Sequence, residues 1–337
     1  MNRPKFTVDS IRPDSLKKLQ KYAKEADLEW LSTKFDSFVE GHCPICGGDS
    51  DSKIIYNIWN KLHYNICNDC NTLFLGTRPD KNAYDEFYNI SKTMKLFATH
   101  IFKESYVSRL NNIYKPRLQL MLQYFGKFST QKGKFLEIGA GSGVFSQLVN
   151  ETKVFSDCIV IEPSPYLADS CRQKGLNTIQ RPVEDVCDTN LFSDTVLASC
   201  FELLEHLTDP AAFLKNLFSL LPDGALFCLT TPNGQGFDIL ELKERSTTLG
   251  LTHINLFNPA SLGRLLNKIG FKVLDIATPG SLDVDLVYRD YITNGVDPYK
   301  SWLHHFLLTA TEDMKQHFQD FIVSSKESSH MWAICQK

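Results

Sequence analysis

The sequence predicts an α/β protein built on a parallel sheet with helices on both faces, with a small cysteine-rich unit in front of it. Three observations predict this. Between residues 131 and 240 short apolar segments alternate with helical patterns, the rhythm of successive strand, helix and strand units. A run of glycines in Phe135-Leu-Glu-Ile-Gly-Ala-Gly-Ser-Gly-Val144 separates the first such strand from the next helix, where a sheet of this kind receives its ligand. Two Cys-x-x-Cys pairs, Cys43/Cys46 and Cys67/Cys70, fall in a stretch whose composition differs from both flanks.

The elements follow in order. Residues 1–40 form an N-terminal helical extension, because Leu16, Leu19, Ala23, Ala26 and Trp30 recur at helical spacing between Asp14 and Leu31. Residues 41–80 form a ribbon of short β-prone pieces such as Ile54–Trp59, punctuated by Cys, Gly, Asp and Asn. A helical cover spans 81–130, patterned from Tyr84 to Phe125 with Pro116 as a helix start and Gly126 as a stop. The sheet domain occupies 131–280, with strands expected at Lys134–Ile138, Cys158–Ile161, Asn177–Gln180, Thr195–Ser199, Ala225–Thr230 and Phe271–Ala277. Between the last two, a helix runs from Pro259 to Ile269 and stops at Gly270. Residues 281–337 hold a helix-rich insertion and a final apolar strand, His330–Cys335. Asp283 and Asp285 alternate with apolar neighbours, as on a half-buried strand or turn. The segment 286–330 reads as a lid or as the surface of a homodimer.

The chain has 337 residues, of which 43% are hydrophobic and 22% charged, so it can bury a large core. A net charge of −3 offers no overall positive field for phosphate backbones, and nucleic acid is not an expected partner. No apolar run approaches the roughly 20 residues of a membrane span, and the opening residues lack the order of an export signal. A cytoplasmic protein with no membrane contact is expected.

The glycine turn has the spacing Gly139, Gly141, Gly143, unlike the Gly-x-Gly-x-x-Gly of dinucleotide binders. Glu137 stands two residues before it, suited to an ammonium group rather than a pyrophosphate. At the end of the next strand Glu162 lies where a ribose diol would be gripped. Glu184 and Asp185 follow the third strand, near the expected place of an adenine amino group.

Together these residues resemble the class I S-adenosylmethionine-dependent methyltransferases. The likeness continues through Asp194–Pro210, which contains Phe201-Glu-Leu-Leu-Glu-His206, and through Leu229-Thr-Thr-Pro-Asn233. It covers roughly residues 131–277 and the terminal strand. The resemblance implies a Rossmann-like seven-stranded sheet that binds S-adenosylmethionine, with Glu137 and the three glycines at the methionine part, Glu162 at the ribose, and Glu184 or Asp185 at the adenine.

Cys43, Cys46, Cys67 and Cys70 form two knuckles separated by twenty residues. That spacing lets four thiolates close a tetrahedron around zinc, a structural site with no open position. The other six cysteines lie scattered among apolar segments and read as small core residues. A ribbon in front of such a sheet could read RNA, as in some ribosomal-RNA methyltransferases. However, Lys53, Lys61 and Arg78 are set against Asp49, Asp51, Asp69 and Asp80, which is no footprint for RNA.

The order of knuckle, cover, core and C-terminal segment is similar to the sugar C-methyltransferases acting on nucleotide-linked deoxysugars and to related enzymes of surface-polysaccharide synthesis. The resemblance implies a nucleotide sugar or glycan precursor as acceptor and His253 as base. The family's Tyr-x-Glu-His lead-in is replaced here by Gly250-Leu-Thr-His253, so the atom methylated stays open and a structural role for His253 stands beside the catalytic one. Glu205 and His206, after the fourth strand, form a second candidate acid–base pair. Tyr56, Tyr64, Tyr84 and Tyr88 could stack a base or sugar, or simply pack a small core. An RNA methyltransferase and a noncatalytic cofactor-binding scaffold are the competing readings.

Overall fold

The structure is a computed structural model that describes residues 6–48, 53–59, 62–129, 131–186 and 189–337, excluding the side chains of Trp59, Glu184, Thr189 and Asn190. Asp49, Asp51 and Lys61, counted above in the ribbon's charge balance, lie outside the described residues.

Helix α1 (Lys17–Ser32) opens the chain, and its buried Asp27 caps the start of a later helix by accepting from Ser91 Oγ and from the Lys92 and Thr93 amides. Strands β1 (Phe38–Glu40), β2 (Lys53–Trp59), β3 (Leu62–Ile66), β4 (Leu73–Leu75) and β5 (Thr77–Pro79) build the ribbon; β1 and β5 pair by themselves. The cover follows as α2 (Lys81–Ile90), α3 (Lys92–Leu96), α4 (Phe102–Glu104), α5 (Tyr106–Arg109) and α6 (Lys115–Phe128), joined by π-helical turns at Phe97–Ile101 and Leu110–Tyr114. Asp80 starts α2 by accepting from the Ala83 amide. Gly126 does not stop the last cover helix as its sequence suggests. It lies inside α6, where nothing stands within 4 Å of a side-chain position, and an open site inside a helix costs only about 1 kcal/mol relative to alanine. The stop comes at Ser129, whose backbone is extended.

The sheet domain then runs β6 (Lys134–Ile138), α7 (Val144–Glu151), β7 (Cys158–Ile161), α8 (Pro165–Gln173), β8 (Asn177–Ile179), α9 (Thr189–Phe192), β9 (Thr195–Phe201), α10 (Pro210–Leu220), β10 (Leu226–Pro232) and α11 (Phe237–Leu242). It continues with β11 (Asn255–Leu256), α12 (Pro259–Ile269), β12 (Lys272–Ala277), α13 (Asp283–Asn294), α14 (Trp302–Thr309), α15 (Glu312–Ser324) and β13 (His330–Gln336). Every residue of β9 and β10 is buried, as expected of central strands covered on both faces. Pro210 follows the cap Asp209, and Asn258 and Ser261 cap α12 reciprocally, so both helices begin where the sequence signals them.

Seven strands form one sheet in the order β12-β13-β10-β9-β6-β7-β8. All neighbours are parallel except β13, which runs antiparallel between β10 and β12. This is the seven-stranded class I methyltransferase sheet expected from the sequence. Ile138 is in register with both Ile161 and Cys200, so the loops after β6, β7 and β9 leave at one end. The strand order reverses between β6 and β9, the place where such sheets bind ligands.

The ribbon shares a strand with this domain. Its sheet has the order β11-β4-β3-β2, so Asn255–Leu256 supplies an edge strand to it. Leu31, Tyr64, Leu75, Tyr84, Ile239 and Leu256 share one buried cluster, which joins extension, ribbon, cover and core.

The alternation over Ser281–Leu286 belongs to a helix start, not to a strand or turn. Asp283 opens α13, and its buried carboxylate accepts from Ser328 Oγ at 2.7 Å, Gln319 Nε2 at 2.6 Å and the Ser329 amide. Asp285 accepts from the Val8 amide at 2.7 Å. An acidic first turn suits the helix dipole, and the hydrogen bonds explain the burial without a metal. Among the described residues no helix is long and apolar enough to cross a membrane.

Candidate functional site

The turn after β6 has left-handed backbone at all three glycines, with φ of +73° at Gly139, +55° at Gly141 and +75° at Gly143, a conformation that costs other residues roughly 1–2 kcal/mol each. The three have different neighbours. A side chain at Gly143 would place its first carbon 2.8 Å from Cys171 Sγ, and one at Gly139 would meet Leu203 at 3.2 Å, whereas Gly141 faces open space. Gly143 therefore permits helix packing, and Gly141 leaves its backbone free for a ligand to approach.

Glu162 clamps this turn. Its Oε2 accepts from the Gly141 amide at 2.8 Å, and its Oε1 accepts from the Ser164 amide at 2.9 Å. Each oxygen retains a lone pair for a further donor. Burial pushes the carboxyl up, and these two amides pull it back. Glu137 lies deeper, 3% exposed, and accepts from Ser146 Oγ on α7. Burial pushes its carboxyl up to about 7, against the lowering effect of Ser146. Asp185 is exposed on the turn Val183–Asp185, and the side chain of Glu184 lies outside the described residues.

Across the strand reversal, the chain leaving β9 carries Glu202, Glu205 and His206. Glu202 has a left-handed backbone, φ +53°, rare for a residue with a side chain and a mark of functional sites. Its Oε1 accepts from Thr230 Oγ1 at 2.6 Å and from Arg117 of α6 at 3.3 Å. Burial pushes this carboxyl up, but His330, Arg117 and Thr230 together bring it below its usual range. Sequence reasoning missed both Glu202 and Arg117. The available signal was position: Glu202 directly follows the strand beside the glycine-bearing one, at its carboxyl end.

Glu205 is fully buried. Its Oε2 accepts from Thr231 Oγ1 at 3.0 Å, its Oε1 has no hydrogen-bond partner, and His206 Nε2 stands 3.8 Å from that Oε1. Burial and Glu202 raise the Glu205 carboxyl well above its ordinary value. The rings of His206 and His253 lie 5.0 Å apart. His206 Nδ1 is 2.7 Å from the Thr252 carbonyl and His253 Nδ1 is 2.7 Å from the Thr248 carbonyl. A carbonyl only accepts, so both Nδ1 atoms carry hydrogen and both Nε2 atoms present lone pairs when the rings are neutral. Burial lowers both histidines, His253 to about 3 with His206 as a second cause. The structure thus brings together all three catalytic candidates of the sequence.

The loop bearing His253 is fixed from outside the sheet domain. The Tyr64 hydroxyl is shared by the carbonyls of Gly250 and His253, and Tyr84 donates to the Leu251 carbonyl at 3.0 Å. Below it, Asp238 accepts from Ser246 at 2.7 Å and Thr248 at 3.0 Å. Tyr64 and Tyr84, candidates for stacking, are buried and serve as these struts.

The four paired cysteines also converge. Their Sγ atoms all lie within 4.8 Å of one another, with Cys43 and Cys70 at 3.5 Å. Each knuckle closes with a left-handed residue, Gly47 and Asn71, whose amides donate to the carbonyls of Cys43 and Cys67. Asn258, the α12 cap, donates to the carbonyls of Cys70 and Asn71, and Lys268 donates to that of Ile45. The knuckles therefore sit on the same helix whose lead-in carries His253.

Sheet order, glycine turn and clamped glutamate define a protein of the class I methyltransferase type. The chain belongs to the methyltransferase domain family, whose profile matches residues 106–276, just over half of its length. It is 37% identical over 75 residues to a probable S-adenosylmethionine-dependent methyltransferase of Mycolicibacterium smegmatis, covering 22% of this chain and 28% of that protein. It is 30% identical over 158 residues to a ubiquinone biosynthesis O-methyltransferase of Xanthomonas euvesicatoria, covering 43% of this chain and 64% of that protein. The chain thus spans less than two thirds of the length of these curated relatives. Among solved structures, the plantazolicin methyltransferase BamL, in complex with a desmethyl analog and SAH, aligns over 76% of this chain and 94% of its own at 15% identity, with a TM-score of 0.48.

Proposed function

We propose that the protein transfers a methyl group from S-adenosylmethionine to a small-molecule acceptor, a nucleotide-linked sugar or glycan precursor. The observation that carries this reading is the facing of two built features across the strand reversal. On one side is the glycine turn clamped by Glu162, and on the other the cluster of buried Glu205 with half-buried His206 and His253. Gly139 against Leu203, at 3.2 Å from a side-chain position, makes the two loops neighbours.

The residues fit the cofactor. Gly141 faces open space at a backbone that only glycine adopts at low cost, and Glu162 keeps acceptor capacity at its rim. Gly139, Gly141 and Gly143 would approach the amino-acid part, Glu137 would balance its ammonium from behind, and Glu162 would hold the ribose. S-adenosylmethionine supplies a methyl group on a positively charged sulfur, open to in-line attack. The chain has to align the acceptor and take its proton, and the Nε2 atoms of His206 and His253, left free by the Nδ1 hydrogen bonds to Thr252 and Thr248, are the candidates for that task. The sugar reading rests on the order of ribbon, cover, core and C-terminal segment, with the ribbon's Tyr64 and the cover's Tyr84 holding the His253 loop.

We further infer that Cys43, Cys46, Cys67 and Cys70 hold a structural zinc. Four thiolates at about 2.3 Å from zinc stand roughly 3.8 Å apart, compatible with the Cys43–Cys70 separation of 3.5 Å.

Transfer of radiolabel from methyl-labelled S-adenosylmethionine to a panel of nucleotide sugars tests the proposal. Labelled product from a nucleotide sugar is expected. Calorimetry showing no binding of S-adenosylmethionine would end the methyltransferase reading. Binding together with methylation of RNA, and of no sugar, would overturn the acceptor alone.

A further inference from the structure

We propose that Glu205, His206 and His253 form a second metal site, separate from the cysteine cluster, that takes one divalent transition-metal ion. One ligating atom from each of the three lies within 4.8 Å of those of the other two. The donor set of two imidazoles and one carboxylate is that of catalytic zinc and non-haem iron sites, which keep further positions open.

Three details separate this trio from a chance cluster. Both histidines have Nδ1 occupied by a backbone carbonyl, of Thr252 and of Thr248, each at 2.7 Å. This fixes the ring orientation and leaves Nε2 as the ligating atom, the usual support for a metal-bound histidine. Glu205, fully buried, has one oxygen held by Thr231 while Oε1 is left without a partner. A buried orphan oxygen is costly unless something pairs with it. His206 Nε2 lies 3.8 Å from that oxygen, too far for a hydrogen bond. Two ligands of one ion at about 2.1 Å stand roughly 3.0–3.5 Å apart, so this pair is within a few tenths of an ångström of ligating distance and the other pairs, within 4.8 Å, would draw in around the ion. Finally, the Tyr88 hydroxyl is also buried without a partner, and its ring meets His206 edge-on at 6.3 Å. A second orphan polar group thus lies beside the trio.

The metal site stands on this geometry alone. Its use, holding an acceptor oxygen beside the methyl group, rests on the methyltransferase reading. The two uses of the His253 lone pair, proton acceptor and metal ligand, exclude each other.

Titration of the purified protein with Co2+ tests the site, because thiolate and imidazole–carboxylate coordination differ in spectrum. One equivalent with weak visible ligand-field bands and no intense thiolate charge-transfer band is expected. His253→Gln and Glu205→Gln should abolish these bands while circular dichroism and S-adenosylmethionine binding show that the variants are folded. If a variant fails to fold, loss of the wild-type bands on competition with Zn2+ replaces it. Absence of nitrogen–oxygen bands in the wild-type protein overturns the proposal, as does their persistence in either folded variant. Methyl transfer undiminished after removal of the Co2+-displaceable ion would overturn its proposed use while the site itself stands, whereas failure to bind S-adenosylmethionine would fall on the enzymatic reading instead.

Discussion

Tyr64, on β3 of the ribbon, donates its hydroxyl to the main-chain carbonyl of His253, 189 residues further along the chain. The same hydroxyl contacts the Gly250 carbonyl at 3.0 Å. A module that carries no catalytic candidate of its own thus sets the position of one.

Tyr64→Phe removes this strut without opening a cavity. Two half-buried carbonyls lose their donor, so a loss of about 1 kcal/mol is expected in denaturant unfolding. Turnover should fall roughly 10–100-fold, as for a small displacement of a reacting group, while S-adenosylmethionine affinity stays unchanged in calorimetry. Equal losses in both would show that Tyr64 supports the whole fold and not the loop.

The glycines make a contrasting pair. Gly143→Ala forces contact with Cys171 and Leu176 at 2.8 Å and should cost about 1–3 kcal/mol of stability beyond its backbone strain. Gly141→Ala meets no neighbour and should cost only about 1–2 kcal/mol, yet weaken S-adenosylmethionine binding more than tenfold. Thermal melts beside calorimetry would read both, and normal affinity in Gly141→Ala would remove that backbone from the cofactor site.

Glu162→Gln should weaken cofactor binding. One of its carboxylate oxygens, accepting from an amide on either side, becomes an NH2 that opposes one of those donors. About 1–3 kcal/mol is expected for the unsatisfied amide, accompanied by lost protection of the Gly141 or Ser164 amide in hydrogen exchange.

Glu137 gives a pH dependence. Its carboxyl titrates near 7 in the folded chain against an ordinary value of 4.5. Between these values the folded state holds a proton that the unfolded state has lost. This contribution to stability is fully present below pH 4.5 and disappears as pH rises through about 7. Melting temperatures of wild type and Glu137→Gln should therefore diverge across that window, the wild type falling relative to the variant. Parallel curves would contradict the burial of an ionisable Glu137.

Cys67→Ser tests the ribbon's metal. Loss of about one equivalent of zinc is expected, together with a lower melting temperature. Because Asn258 bridges the second knuckle to α12, loosening should reach the His253 loop, visible as faster amide exchange at residues 250–256. Unaltered zinc content would refute the four-cysteine site.

Much of this was legible in the sequence because local chemistry and global position agree there. The β6 turn announces itself by three glycines, and all three do have left-handed backbone. The paired cysteines announce theirs by spacing. Where the reading failed, the deciding feature lay outside the local pattern. Asp283 looked like part of a half-buried strand or turn because the donors to its carboxylate, Gln319, Ser328 and Ser329, come about forty residues later. Gly126 looked like a stop, but an open helix face tolerates glycine. Glu202 escaped notice since its strained backbone and its bond to Arg117 leave no mark in spacing. The sharing of β11 with the ribbon was equally invisible, as two residues carry no periodicity.

The placement of β13 has a consequence for synthesis on the ribosome. Among the described residues β12 has β13 as its one neighbour in the sheet, and β13 follows it by more than fifty residues, with three helices in between. Until those residues emerge, β10 presents an unpaired edge of mostly apolar residues and β12 has nothing to join. At about 5–20 residues per second, that exposure lasts several seconds, a window in which the open edge of β10 could pair with another chain.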